Sequence, residues 1–196
     1  QTAARDLRAA GAGVEVVTDD GIVRARQAIL ATNAFPPLLG RLRLMTVPVY
    51  DYVLMTEPLS AEQRAAIGWA GREGLADSAN LFHYSRLTRE SEGARILWGG
   101  YDAVYHYGSR IDPALEQSGR THDLLAEQFF DLFPALEGLR FTHRWAGVID
   151  TCTRFAAFYG TALKGRVAYA GGFTGLGVGT TRFAADVMLD LLGGEE

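Results

Sequence analysis

The sequence predicts a mixed α+β fold with a substantial antiparallel sheet, and three observations carry that reading. Short apolar stretches suited to strands recur along the 196 residues, at about 44–56, 80–86, 95–101, 139–150 and 165–170. Helical and strand signals alternate irregularly, so the chain does not repeat a regular strand-helix unit. The last thirty or so residues run from a short apolar strand through five glycines into an amphipathic helix.

Taken in order, Arg5 to Ala10 reads as the end of a helix stopped near Gly11. Val14 to Thr18 alternates as a strand and closes in Asp20-Gly21, a turn that pairs it as a hairpin with the following strand from Ile22. The apolar stretch of that strand ends in Ala31-Thr32-Asn33-Ala34-Phe35. Ser60-Ala61-Glu62-Gln63 has capping-box spacing and opens a short helix. In the strand at 80–86, alternation places Phe82, Tyr84 and Arg86 on one side and His83 and Ser85 on the other. Asp112-Pro113 supplies an N-cap and a proline at the first helical position, and Leu124, Leu125, Gln128, Phe129 and Leu132 continue an apolar stripe until Pro134. The final helix is expected to bury Phe183, Val187 and Leu191, with Ala184 and Met188 beside them.

Bulk composition narrows the function classes. With 48% hydrophobic residues the chain can bury a sizeable core, enough for one domain or one domain plus part of another. A net charge of −4 leaves no basic footprint for nucleic acid. Cys152 is the single cysteine, which excludes an internal disulfide framework and fits the cytoplasm. No apolar run approaches the roughly 18 residues needed to span a bilayer. His83, His106, His122 and His143 lack zinc-ligand spacing, so no metal is expected, and no Gly-x-Ser-x-Gly elbow marks a hydrolase.

The most informative segment is Val167-Ala168-Tyr169-Ala170-Gly171-Gly172-Phe173-Thr174-Gly175-Leu176-Gly177-Val178-Gly179. A strand entering a helix through such a turn leaves exposed amides at the positive end of the helix dipole, where an electron-rich ring edge or a phosphate can sit. The alternating Gly175, Gly177 and Gly179 are not the GxGxxG dinucleotide fingerprint, and no acidic residue follows about 20 positions later.

Together with Ala31-Thr32-Asn33, this segment resembles the FAD-dependent amine and amino-acid oxidoreductases of the D-amino-acid oxidase superfamily, in the glycine, sarcosine and γ-glutamylputrescine oxidase-like branch. Pro48 to Leu59, Phe82 to Thr88, Ile96 to Gly100 and Trp145-Ala146-Gly147 fall in the same order as the corresponding family segments. The resemblance implies a substrate domain at 43–145 between two incomplete pieces of an FAD-binding domain, 1–42 and 146–196. It also implies a chain that is the C-terminal half of a larger flavoprotein, whose missing N-terminal FAD-binding half would be its partner. Tight, non-covalent FAD binding would need that half, so the isolated chain is expected to be inactive.

The same resemblance assigns candidate residues. Ala31, Thr32, Asn33, Gly171, Gly172, Thr174, Gly175, Leu176, Gly177 and Val178 would contact FAD. Tyr84, Arg86, Trp98, Tyr101, Trp145 and Arg154 would meet a small amine or amino-acid substrate, with an arginine pairing a carboxylate and the aromatics forming walls. Arg144 is a further candidate arginine, and no catalytic residue is singled out. Where many relatives carry Thr-x-Asp-x-x-Pro-x-Ile-Gly, this chain has Cys152, Arg154, Ala157, Tyr159 and Gly160, which opens the question of substrate class. The expected reaction is oxidation of a C–N bond by hydride transfer to flavin. The alternative is a non-catalytic binding or assembly module derived from the same fold.

Overall fold

The computed structural model describes residues 2–88, 91 and 93–194. In chain order the strands begin with β1 (Ala4–Ala10), β2 (Gly13–Thr18), β3 (Ile22–Ala25), β4 (Ala28–Leu30) and β5 (Val47–Thr56), followed by helix α1 (Ala61–Ala66). Then come β6 (Leu75–Ala76), β7 (His83–Leu87), β8 (Ile96–Gly100), β9 (Val104–Tyr105) and helix α2 (Gly119–Leu132). Strands β10 (Phe141–Thr151), β11 (Phe158–Ala162) and β12 (Val167–Gly171) lead to helix α3 (Gly177–Gly193). Two units divide the chain: Gln1–Pro48 with Ile149–Glu196, and Val49–Val148.

The first unit holds two small sheets. In one, β1, β2 and β3 are antiparallel neighbours, and in the other β11 is antiparallel to β12, which is parallel to β4. Leu7, Val14, Leu30, Leu42, Val167 and Tyr169 form its buried cluster. Arg166 ties the β1–β2 turn to this core by donating to the carbonyls of Gly11 and Gly13 at 2.8 and 2.9 Å. Helix α3 packs on β11 and β12 and buries Ala184 and Met188.

The β1 segment corrects the helical reading of Arg5 to Ala10. Its alanines and charged residues suit a helix, but Arg5 bonds Asp19 at 2.7 Å through two nitrogens and Arg8 bonds Glu15 at 3.1 Å, pairings that an extended β1 makes with its neighbour. Gly11 therefore turns a hairpin and caps no helix. The stretch from Ile22 to Leu30 is likewise two strands in different sheets, and β11 is a strand the sequence reading did not anticipate.

The second unit is built on the sheet β10-β5-β8-β7-β6, with β9 added against β5. Tyr50, Tyr52, Leu54, Ile96, Trp98, Leu125 and Phe129 lead its core. Phe129 from α2 is fully buried, and removing such a side chain from water contributes about 1.5–3 kcal/mol. The indole N–H of Trp98 donates to the Leu125 carbonyl at 3.0 Å, and the Tyr52 hydroxyl donates to the Leu115 carbonyl at 2.6 Å. These bonds satisfy the polar ends of buried aromatics.

Helix starts follow the local signals. Ser60 Oγ accepts from the Gln63 N–H and the Gln63 carboxamide accepts from the Ser60 N–H, completing the box on α1. Asp112 caps the next helical segment as expected, but that segment is a 3-10 turn, Pro113–Gln117, and α2 begins separately after Ser118. Leu132, expected in the buried stripe, is 57% exposed. In α3 the buried face is rotated relative to expectation: Phe183 is 61% exposed and Val187 and Leu191 are half-buried.

Candidate functional site

In the first unit, the parallel pairing of β12 with β4 brings Tyr169 opposite Leu30. Both strands run the same way, so Ala31-Thr32-Asn33 and Gly171-Gly172 leave the sheet side by side. Open parallel strands present their carboxyl ends to ligands in many α/β proteins. Residues far apart in sequence thus share one rim. Ala31 and Asn33 are exposed there, and Thr32 is half-buried.

The head of α3 lies beyond that rim. Leu176, its N-cap residue, makes no side-chain capping bond. Leu176 and Val178 are exposed, the latter completely. A Cβ placed on Gly177 would meet nothing nearer than 3.7 Å, and one on Gly179 nothing within 4 Å. The first turn of a 17-residue helix is therefore open to an approaching ring or anion.

The turn itself is tightly specified. Gly172 has φ +73°, and a Cβ there would lie 2.8 Å from Phe158 and 3.0 Å from Cys152 Sγ. Thr174 adopts φ +51°, a conformation uncommon for a β-branched residue, and Asn33 on the neighbouring segment has the same value. Backbone held in such regions clusters at sites that bind or switch. Thr174 is secured because its hydroxyl donates to the Gly172 carbonyl at 3.0 Å and accepts from the Cys152 N–H at 3.2 Å. Asp150, 3% exposed, closes the network: its Oδ2 accepts from the Gly172 N–H at 2.6 Å and the Phe173 N–H at 3.3 Å. Burial pushes the Asp150 carboxyl above the usual carboxylate range, and those amides pull against it.

The candidates expected to meet substrate have varied surroundings. In the second unit, Tyr84 lies across β8 at Gly99, where a Cβ would sit 2.6 Å from the phenolic oxygen, and donates to Asp51 Oδ2 at 2.7 Å. Burial raises the Asp51 carboxyl above its usual range, while burial first and the Asp51 charge second raise the Tyr84 phenol. Tyr101, at φ +65°, stacks on the His83 ring at 5.1 Å, and Trp98 stacks on the same ring at 4.5 Å. Trp98 is 1% exposed and belongs to the core. Arg86 and Arg144 are exposed, and Trp145 is half-buried with its carbonyl 3.3 Å from His122 Nε2. In the first unit, Arg154 is exposed in the β10–β11 turn beside Phe155, which has φ +50°.

Three polar groupings escaped the sequence reading. Asp150 is one; Asp51 under Tyr84 is the second. The third surrounds His83, whose Nδ1 donates to Asp77 Oδ2 at 2.6 Å and whose Nε2 lies 3.0 Å from the Gln128 carboxamide. The His83 hydrogen bond, assisted by the Ala79 and His83 amides, holds the Asp77 carboxyl below its usual range. The available signal was weak: a lone acid within a mainly apolar strand, as in Pro48 to Met55 or Trp145 to Cys152, needs partners that sequence does not name.

The sequence profile of the FAD-dependent oxidoreductases of the DAO type matches residues 1–191. The chain belongs to that family. Within it, the chain is 26% identical over 191 residues to the probable oxidoreductase OrdL of Haemophilus influenzae, covering 93% of this chain and 39% of that protein. It is 29% identical over 188 residues to the γ-glutamylputrescine oxidoreductase of Escherichia coli, covering 92% and 39%. The chain thus spans about two fifths of the length of these curated relatives. Among solved structures, glycine oxidase from Bacillus cereus superposes with TM-score 0.76 at 19% identity, over all of this chain and 51% of that one. L-proline dehydrogenase from P. horikoshii superposes with TM-score 0.73 at 18% identity, over all of this chain and 50% of that one. The mixed α+β fold expected from sequence is therefore the fold of DAO-type oxidases. Among the described residues, no helix is long and apolar enough to cross a membrane.

Proposed function

We propose that this chain is the C-terminal part of an FAD-dependent enzyme that oxidises a C–N bond of a small amine or amino acid, with hydride transfer to the flavin. The observation that supports the reading is the parallel pairing of β4 with β12, whose ends run on into Ala31-Thr32-Asn33 and into the glycine turn that leads to the open head of α3, in a chain of the FAD-dependent family.

The bound flavin would supply the electron sink for the oxidation. Helix α3 would contribute the amides of Gly177 and Val178 where negative charge develops on reduction, with about 0.3–2 kcal/mol from the dipole. Ala31, Thr32 and Asn33 would line the adjoining rim. Cys152 is buried and donates to the Ala156 carbonyl at 3.3 Å, which supports non-covalent rather than cysteine-linked cofactor. An N-terminal half would complete the pyrophosphate site, and a single buried thiol is in keeping with a cytoplasmic location.

Tyr84 and Tyr101 are the strongest substrate candidates of the second unit, because both are only half-buried and each is fixed by a neighbour. Trp98 would act behind them as packing. The relatives named for γ-glutamylputrescine, glycine and proline support an amine or amino-acid substrate.

The test uses the intact gene product. Adding FAD should generate bound flavin absorbance, and amines or amino acids from a panel, added anaerobically with no other electron acceptor, should bleach it. An intact protein that acquires no flavin absorbance would overturn the cofactor assignment, and bound flavin that no amine reduces would overturn the substrate class.

A further inference from the structure

We infer that Asp150 is a positioning residue whose ionised carboxylate holds the glycine turn in the shape that aims the head of α3 at the cofactor, and that its buried charge lowers the flavin's reduction potential. This inference rests on the proposed FAD site.

Three consecutive amides converge on this one residue. Gly172 and Phe173 donate to Oδ2 at 2.6 and 3.3 Å, and Thr174 donates to the Asp150 backbone carbonyl at 3.2 Å. Successive amides folded into a concavity of this kind make an anion-binding nest. Here the anion is the protein's own carboxylate, supplied from the end of β10 and 97% shielded from water. A turn of glycines and small residues has many accessible backbone conformations, and Gly172 at φ +73° and Thr174 at φ +51° select one of the less populated. The carboxylate, the Thr174 hydroxyl and the Cys152 amide together hold that one. The turn leads through Gly175 and Leu176 directly into the uncapped first turn of α3, so its shape sets where the Gly177 and Val178 amides point.

Charge has a second consequence. Reduction places negative charge on the flavin's pyrimidine edge, which α3 would face. The Gly172 and Phe173 amides favour the ionised form of Asp150 against the burial that opposes it, and a carboxylate held 2.6 Å from the Gly172 nitrogen, in the turn that would meet the cofactor, opposes that added charge. A residue acting only as a structural brace would not move the potential when replaced by a neutral isostere.

The experiment compares the intact wild-type protein with D150A and D150N, with circular dichroism to establish folding. D150A leaves the Gly172 and Phe173 amides unpaired and should weaken FAD binding about tenfold to a hundredfold, read by flavin fluorescence titration. D150N keeps the shape and one acceptor oxygen, so its FAD affinity should return to within about threefold of wild type while its midpoint potential rises. If D150A binds FAD within about twofold of wild type, or D150N has a potential equal to or below wild type, the inference falls while the FAD assignment stands. A wild-type protein that binds no FAD would instead sink the underlying assignment. Should D150A fail to fold, the D150N potential decides alone.

Discussion

Two glycines of the same motif should respond to alanine with opposite signs. At Gly172 the φ of +73° disfavours any L side chain, by about 1–2 kcal/mol. The new Cβ would also stand 2.8 and 2.9 Å from Phe158 ring carbons and 3.0 Å from Cys152 Sγ, and such overpacking adds about 1–3 kcal/mol. Gly172→Ala should therefore destabilise the protein by about 2–5 kcal/mol. Gly179 lies inside α3, its φ is not positive, and a Cβ there meets nothing within 4 Å. Relief of backbone entropy should make Gly179→Ala stabilising by about 0.5–1 kcal/mol. Urea titration followed by far-ultraviolet circular dichroism, with calorimetry as a second probe, measures both. A Gly172→Ala protein within about 0.5 kcal/mol of wild type, or two variants shifting in the same direction, would refute the geometry of the turn and the start of α3 as described.

Two further perturbations probe the second unit. Tyr84→Phe removes the donor to Asp51, whose carboxyl is already raised by burial; its titration should move further up, read by carbon-detected NMR, and stability should fall by about 1–3 kcal/mol. Gly99→Ala should be poorly tolerated with Tyr84 present and much less harmful in a Tyr84→Ala background, because the three atoms nearest the added Cβ all belong to the Tyr84 phenol; additive effects in the double-mutant cycle would contradict the packing. Glu57 is held below its usual range by hydrogen bonds from Arg140, at 2.9 Å from Nε and 2.6 Å from a terminal nitrogen. A depressed carboxyl contributes stability that is present above its unfolded value of about 4.3 and lost as pH falls through the folded value. Arg140→Met should flatten the acid limb of the stability profile below about pH 4.3 and leave the slope at neutral pH unchanged; an unaltered acid limb would exclude the linkage.

Local chemistry made a good part of this protein legible in its residues. The box of Ser60 and Gln63, the Asp112 cap and the pairing of Val14 to Thr18 with the strand from Ile22 depend on groups a few positions apart, and all three form, although Asp112 caps a 3-10 turn instead of α2 and the second hairpin strand stops at Ala25. The main strands did too, because alternation or an apolar run records a face that must leave water. The glycine turn into α3 was visible because glycine is the residue that most readily takes positive φ, as Gly172 and Gly175 do at +73° and +84°.

What sequence could not specify was which neighbour each face would find. Arg5 to Ala10 carries helix-forming residues, yet cross-strand ion pairs with Glu15 and Asp19 and docking of Leu7 into the core make it a strand. Strand β11 hid behind Gly160 in its middle, where the Tyr169 ring lies over the position a side chain would fill. In α3 an apolar stripe was plain, but the sheet beneath it chose Ala184 and Met188 and left Phe183 exposed. Asp150 makes the distinction sharpest. By composition it is one acid among 23 acidic residues; only the fold, by bringing the end of β10 beneath a turn more than twenty residues later, removes it from water and gives it amides to hold. Desolvation and partner choice belong to the assembled structure, because both are set by atoms distant in the chain.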